Sequence, residues 1–496
     1  MNNNIGESIA KNTTVMVAAQ MVTWVAGFVL LLFLPRYLGS EDYGRLFLAM
    51  SFAMILSVII DFGGNYLIPK EVSKSRDKTP LLLISFVGVR TIIWFICMVG
   101  LLLFCYLAGY SNTMVLLIMI MGISKFFEGA SKVIRSCFQG YELMVYPSLG
   151  IVSEQIFVAT LAVAALLLGA GPIEIAAVMA AGALLKLIIS IKFIPLLVDK
   201  LPAFHLNVSY KLLKGSVPYF MWSVFAVIYY RIDAVMLSTM TTESVVGWYG
   251  GAYRLFDIVM FLPAILTTVV FPIFSKLWEE QGRGFSNTFQ QSLKFILIAG
   301  IPMCIMYFSF SENLVSLFYG LDEYSPSVLI LQIFSLGILL VYIDFILGSV
   351  ILASDKQVKW AFVGFAAVIL NIGLNYLMIP IFEAEFGNGG VGAAVTTLLT
   401  EIFIMVSAVI LLWDKFFKDF NYMMPLKCLN CGIIMTGIIW GGGYLDVHWL
   451  LQAIAGFTIY ALIVSIQVIS PTELHFLKKV YTRKKMKSFM SLTNQK

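Results

Sequence analysis

The chain has 496 residues, 60% of them hydrophobic and only 12% charged, with a mean hydropathy of +0.91. Soluble domains carry roughly 25% charged residues, so a water-soluble globular fold is excluded and lipid must be the main solvent. The formal net charge is +5, and nothing in the composition points to a nucleic-acid partner.

A helix needs about 20 apolar residues to cross a bilayer, and the apolar runs place spans near 13–34, 45–68, 81–108, 113–136, 145–169 and 173–197. The first run ends in Pro35-Arg36-Tyr37 rather than a small-residue cleavage site, so it reads as a retained span. After a polar linker the runs continue near 217–240, 250–274, 292–311, 328–352, 358–381 and 389–413, with two more near 426–444 and 448–469. The expected fold is an all-α integral membrane protein of about fourteen transmembrane helices. It comprises an N-terminal bundle over 1–200, a cytoplasmic linker over 201–216 and a second bundle over 217–414. Two extra helices over 415–470 and a basic tail over 471–496 follow. Cys97, Cys105, Cys137, Cys304, Cys428 and Cys431 lie in or beside apolar runs, which argues against disulfides. The lone Cys428-x-x-Cys431 reads as two small apolar residues rather than a metal site.

Cytoplasmic loops should hold the excess of Lys and Arg. With both termini placed in the cytoplasm, 25 of the 33 basic residues fall on that side, Arg36 and Arg45 alone fall in outer loops, and six remain inside spans. The halves also echo each other, as in a transporter with an internal repeat. Gly44 and Pro69 are 25 residues apart, as are Gly247 and Pro272, and each Pro precedes a Ser-Lys pair. Two six-helix bundles in one orientation give a parallel repeat, with its pseudo-two-fold along the membrane normal.

The informative residues are charges inside the spans, because an ionisable group at mid-bilayer costs about 2.5 to 3.5 kcal/mol. The basic set is Arg90, Lys125, Lys186, Lys192, Arg231 and Arg254; the acidic set is Asp61, Glu128, Glu154, Asp233, Asp257, Asp344 and Glu401. Thirteen such groups imply pairing and a hydrated interior. Lys125, Glu128, Lys132 and Arg135 fall on one helical stripe. Asn371 and Asn375 share a face, as do Thr397, Thr400 and Glu401, a pattern that glues membrane helices as often as it binds ligands. Lys478, Lys479, Arg483, Lys484, Lys485 and Lys487 crowd the tail, where they set orientation or attract anionic lipids. No phosphate-binding glycine loop is found, so no cofactor or nucleotide motor is expected.

The segment Leu34-Pro35-Arg36-Tyr37-Leu38-Gly39-Ser40-Glu41-Asp42-Tyr43-Gly44 resembles the signature of the polysaccharide transporter family. That family belongs to the multidrug/oligosaccharidyl-lipid/polysaccharide exporter superfamily. The resemblance continues through Asp61-Phe62-Gly63, Phe138-Gln139-Gly140 and Arg231-Ile232-Asp233-Ala234-Val235-Met236-Leu237. It then takes in Gly247-Trp248-Tyr249, Ala252-Tyr253-Arg254-Leu255 and Gly390-Val391-Gly392-Ala393-Ala394. It implies a non-enzymatic flippase of the cell inner (cytoplasmic) membrane. Such a protein moves polyprenyl-diphosphate-linked oligosaccharide units to the outer leaflet for O-antigen, capsule or exopolysaccharide assembly, with the polysaccharide polymerase and chain-length machinery as partners. Arg231, Asp233 and Arg254 carry over from the family's seventh- and eighth-span positions. Arg90, Lys125, Lys186 and Arg36 join the substrate-binding set from position alone. Asp233, Asp257 and Glu401 are the candidates for proton or sodium coupling, alongside the membrane potential.

Two departures narrow the branch. No arginine lies within Val15–Leu34, unlike the lipid II flippases, and no acid lies between Glu7 and Glu41, unlike many drug exporters. The competing readings are a cation-coupled multidrug antiporter, which calls for an anionic aromatic cavity, and a membrane glycosyltransferase or polymerase. The last needs a larger outer loop than Glu312–Ser327.

Overall fold

The computed structural model describes the backbone over residues 2–204, 206–280, 284–413 and 420–469; the basic tail and its lysine cluster lie outside the described residues. Among the described residues the chain is helical, without strands. The helices are α1 (Asn2–Asp61), α2 (Gly64–Lys74), α3 (Thr79–Leu107), α4 (Asn112–Gly140), α5 (Val145–Leu167) and α6 (Pro172–Lys192). They continue as α7 (Leu206–Met240), α8 (Glu243–Val259), α9 (Phe261–Glu279), α10 (Phe285–Ser309) and the short α11 (Ser311–Phe318) and α12 (Leu321–Tyr324). Then follow α13 (Ser327–Ala353), α14 (Gln357–Phe386), α15 (Gly389–Leu412), α16 (Met423–Tyr444) and α17 (Trp449–Gln467).

Thirteen helical stretches among the described residues are long and apolar enough to span a bilayer, and the protein is a multi-pass membrane protein. The first of them, Thr14–Lys74, runs 61 residues. At 1.5 Å per residue it is about 90 Å long, three times the hydrocarbon thickness, so it holds two spans. The break falls at Gly39, whose φ of 76° is left-handed, between the two expected spans. The sequence count of fourteen and the structural count of thirteen therefore describe the same helices.

The chain forms two compact units, the first Met1–Arg254, Val315–Ile330 and Gly364–Thr396, the second Leu255–Leu314, Leu331–Val363 and Thr397–Lys496. In the first unit, α1 bends at Gly39 and stops at Phe62 and Gly63, which have φ of 45° and 73°. The short α2 then packs Leu67, Ile68 and Val72 against Leu82 and Phe86 of α3 and Val133, Cys137 and Phe138 of α4. In the second unit, α16 and α17 form a hairpin against α10, with Gly432 letting α16 approach Ile301.

The family signature after the first span lands on a tight joint in the first unit. Glu323 accepts a hydrogen bond from the Ser40 backbone N–H at 2.7 Å, and Tyr324 Oη lies 3.1 and 3.0 Å from the carbonyls of Pro35 and Gly39. Burial raises the Tyr324 hydroxyl's pKa and keeps it a donor. Trp248 Nε1 donates to the Glu323 carbonyl at 2.8 Å, and Ser327 Oγ donates to the Trp248 carbonyl at 2.8 Å. Arg45 joins Glu41, Asp42 and Glu243. At this joint Gly44 and Gly247, the pair matched by the repeat, meet each other. A Cβ on Gly44 would overlap the Glu243 carbonyl oxygen, and a Cβ on Gly247 would overlap the Ser40 carbonyl oxygen. Gly392 similarly lets α15 lie against the Met378 backbone.

Overpacking a close contact costs about 1 to 3 kcal/mol. Gly44→Ala and Gly247→Ala should each lower the thermal unfolding midpoint of the purified protein by several degrees. Gly373→Ala, where nothing lies within 4 Å, should leave the midpoint unchanged or raise it, since it replaces a helix-interior glycine.

Candidate functional site

The charged groups predicted for substrate binding lie in the first unit, carried mainly by α3, α4, α6, α7 and α8. Arg90 on α3 is 3% exposed and reaches the break between α1 and α2. It pairs with the Asp61 carboxylate, donates to the Gly129 carbonyl at 2.7 Å and lies 3.3 Å from the Asp61 carbonyl. Gly64 makes room for it, because a Cβ there would come within 2.7 Å of the Arg90 guanidinium. In this conformation Arg90 holds the helix break in place. Its partner is 29 residues away in sequence, so no reading of local spacing could find it.

The α4 stripe forms a chain of alternating charge. Lys125 Nζ is 2.6 Å from Glu128 Oε2, and Lys132 Nζ is 2.9 Å from Glu128 Oε1 and 3.1 Å from Ser57 Oγ. Lys186 on α6 meets Glu154 on α5 at 2.6 Å. The two groups act on each other, since Glu154 acts on Lys125 and Lys186 acts on Glu128. Three lysines against two glutamates leave this chain with one net positive charge. Arg135, one turn beyond Lys132, is close enough to Arg90 to repel it, and its Nε is buried without a hydrogen-bond partner.

Arg231 on α7 lies over two rings, 5.7 Å from the Phe47 centroid and 5.2 Å from that of Tyr253. Asp233, two residues on, points elsewhere and is buried. It accepts hydrogen bonds from Tyr249 Oη at 2.8 Å and Asn375 Nδ2 at 2.6 Å, and Asn375 Nδ2 is also 3.0 Å from Asn371 Oδ1. Asn375 Oδ1 is buried and receives no hydrogen bond. The asparagine face visible in the sequence therefore serves an aspartate and gathers oxygen donors suited to a proton or a hard monovalent cation. No group of three or more His, Cys, Asp or Glu converges among the described residues.

Arg254 is half-buried, and neither a hydrogen bond nor an ion pair holds it among the described residues; Arg36 is exposed. Asp257 and Glu401 fall in the second unit, Asp257 half-buried and Glu401 buried. Glu128 and Glu154 were legible as charged positions in spans and Lys132 as part of the α4 stripe, but only the fold shows that they share the lysine chain.

Removing one member of a buried ion pair leaves an uncompensated charge and costs about 3 to 5 kcal/mol. Asp61→Asn should therefore destabilise the protein strongly in thermal unfolding. Combining it with Arg90→Met should recover most of the loss, a non-additivity that an unpaired Arg90 would not produce.

Residues 9–278, over half of the chain, match the family described as "Polysaccharide biosynthesis protein", and residues 218–377 match the family described as "MatE". The probable low-salt glycan biosynthesis flippase Agl15 of Haloferax volcanii is 25% identical over 231 residues, 46% of this chain and 47% of that protein. The match thus spans about half the length of that curated relative. Among solved structures, the lipid II flippase MurJ in an inward closed conformation is 18% identical with a TM-score of 0.74, over 92% of this chain and 98% of that one. An inward-facing multidrug resistance MATE family transporter of the same superfamily is 12% identical with a TM-score of 0.65, over 80% of this chain and 95% of that one. These two share the fold. The chain belongs to the family described as "Polysaccharide biosynthesis protein".

Proposed function

We propose that this protein is a flippase that carries polyprenyl-diphosphate-linked oligosaccharide units from the cytoplasmic to the outer leaflet of the inner membrane, for O-antigen, capsule or exopolysaccharide assembly. The observation that carries this reading is the excess of positive charge at membrane depth in the first unit. Inside its spans six basic groups, Arg90, Lys125, Lys186, Lys192, Arg231 and Arg254, stand against four acids, Asp61, Glu128, Glu154 and Asp233, and Lys132 and Arg135 add to the excess toward the cytoplasmic end of α4. A charge inside the bilayer marks a substrate or ion path, and an excess of cations selects an anionic substrate over the cationic drugs of the MATE branch. A diphosphate supplies that anion, and Arg254, Arg231, Lys125 and Lys186 are its binding set. Arg36, predicted for an outer loop but placed by the structure on α1 just before the Gly39 break, is exposed and would meet the substrate at release. Arg90, committed to Asp61, keeps the path's wall in register.

Both termini lie in the cytoplasm in this reading, and the translocated unit passes to the polymerase and chain-length machinery. An inside-negative potential drives an anion outward by about 2.3 kcal/mol per charge per 100 mV. The Asp233 cluster with Asn371 and Asn375 supplies a cation site that would add to this drive, and Asp257 is a further candidate.

Loss of a charge-assisted contact costs about 1.5 to 3 kcal/mol, ten- to hundredfold in binding. Deletion of the gene should accumulate the lipid-linked intermediate, identified by mass spectrometry of extracted lipids. Arg254→Ala should reproduce that accumulation and cut surface polysaccharide at least tenfold with normal membrane levels; wild-type polysaccharide in this variant would falsify the assignment. In reconstituted vesicles Asp233→Asn should abolish any dependence of transport on a proton or sodium gradient while leaving the response to membrane potential.

A further inference from the structure

The joint at Gly44 and Gly247 reaches down to one of the residues assigned to the cargo. Arg45 Nε of α1 lies 3.4 Å from the Glu243 carboxylate of α8, and Tyr110 Oη, just before α4, lies 2.6 Å from Ser238 Oγ of α7. These contacts join helices of the first six spans to helices of the next six, so the two halves are shut together at this end of the first unit. Phe47 stands three residues past Gly44 and Tyr253 six past Gly247, about 5 and 9 Å deeper at 1.5 Å per residue. The Arg231 guanidinium lies over both rings, 5.7 Å from the Phe47 centroid and 5.2 Å from that of Tyr253. Arg231 and Tyr253 belong to the second six spans and Phe47 to the first. Tyr253 therefore seats the guanidinium, and its hold on Phe47 ties the halves together beneath the joint.

The three members differ in access. Phe47 is 5% exposed and Tyr253 4%, whereas Arg231 is partly exposed. The Phe47 ring is also fixed in place. It fills the space beside Gly250, where a Cβ would come within 2.6 Å of it, and Tyr43 lies against it with ring centroids 6.2 Å apart. A ligand that enters here meets the cation and not the rings, and the Phe47 ring cannot follow a guanidinium that moves.

We propose that Phe47, Arg231 and Tyr253 form a latch that the charge of the cargo releases. A charge-assisted hydrogen bond to an anion is stronger than the attraction of a cation to a ring face. An anion at Arg231 thus draws the guanidinium off Phe47, the tie between α1 and α7 is lost, and the joint opens. Linkage makes the effect reciprocal, since an open joint leaves Arg231 free of Phe47 and raises its affinity for the anion by the same factor. The empty protein stays shut at this end, and the loaded protein opens. The identity of the anion, a diphosphate, rests on the flippase reading; the latch rests on the geometry alone.

Spin labels on Leu168→Cys, in the turn between α5 and α6, and Glu385→Cys, near the end of α14, report the opening of the joint in the full-length protein in lipid nanodiscs; both positions are exposed. The native cysteines are buried or half-buried, and the protein without the added pair gives the background. Inorganic pyrophosphate, compared with chloride at matched ionic strength, should move part of the wild-type population to longer distances. Phe47→Leu and Tyr253→Leu should each raise the long-distance population about threefold with no anion present, the scale of one cation–π contact. Tyr253→Phe, which keeps the ring, should not. Arg231→Met should show the raised population and lose the response to pyrophosphate. If one leucine variant fails to give a monodisperse protein, the other carries the same test. The proposal is overturned if a folded leucine variant keeps the wild-type distances, if pyrophosphate does no more than chloride, or if Arg231→Met still responds. Any of these results alongside accumulation of the lipid-linked intermediate on gene deletion would sink the latch and leave the flippase reading standing. A pyrophosphate response without that accumulation would do the reverse.

Discussion

In hydrocarbon a backbone carbonyl or amide without a partner costs several kcal/mol, so each break in a membrane helix must be answered by a side chain. The same answer is found at four breaks in this chain. Pro263 cannot donate to the Val259 carbonyl four residues earlier, and Tyr342 donates to that carbonyl instead. Pro302 frees the Ile298 carbonyl, which receives the Tyr460 hydroxyl at 3.0 Å. The left-handed Gly39 frees the Pro35 carbonyl, and Tyr324 serves it while Glu323 takes the Ser40 amide. At the Phe62–Gly63 break Arg90 performs the same duty for Asp61. Tyrosine suits the task because its ring belongs in an apolar interior and its hydroxyl brings one donor without a charge.

The charges follow the same logic at higher stakes. Arg90, Lys125, Lys132 and Lys186 are each matched to a carboxylate within the first unit. Arg231 spreads its charge over two aromatic faces, an arrangement that favours guanidinium over ammonium. What remains unmatched is a small positive surplus, and small is what a transporter needs. On the proposed reading, a diphosphate facing cations that were all free would bind too tightly to be released.

Hydropathy made the spans legible, because about 20 apolar residues in a row have few other uses. The break in the first helix was legible in outline from Pro35 and Gly39, and its bracing was not. Glu323 and Tyr324 sit in a short connector about 285 residues away and look like ordinary turn residues. The charged positions were legible one by one. Their partners were not, since Asp61 with Arg90 and Glu154 with Lys186 are separated by 29 and 32 residues and meet only through helix packing. Much of the family signature, read as a pointer to function, turns out to mark backbone contact. Gly39, Gly44, Gly247 and Gly392 stand where a side chain would not fit or the backbone turns left-handed.

The pairing of lysines with glutamates also bears on competition from other anions. Glu128 bridges Lys125 and Lys132, and Glu154 occupies Lys186. An incoming anion must displace these carboxylates, which are already in place and have no translational entropy left to lose. A chloride or a single phosphate offers one charge centre and cannot replace a bridging group at a gain. A ligand with two linked phosphates can engage two lysines for one cost of immobilisation, the arithmetic of effective concentration. On the proposed reading, the resident glutamates would act as a filter on valency, keeping the abundant small anions of a cell from filling a basic site that serves a lipid-linked diphosphate.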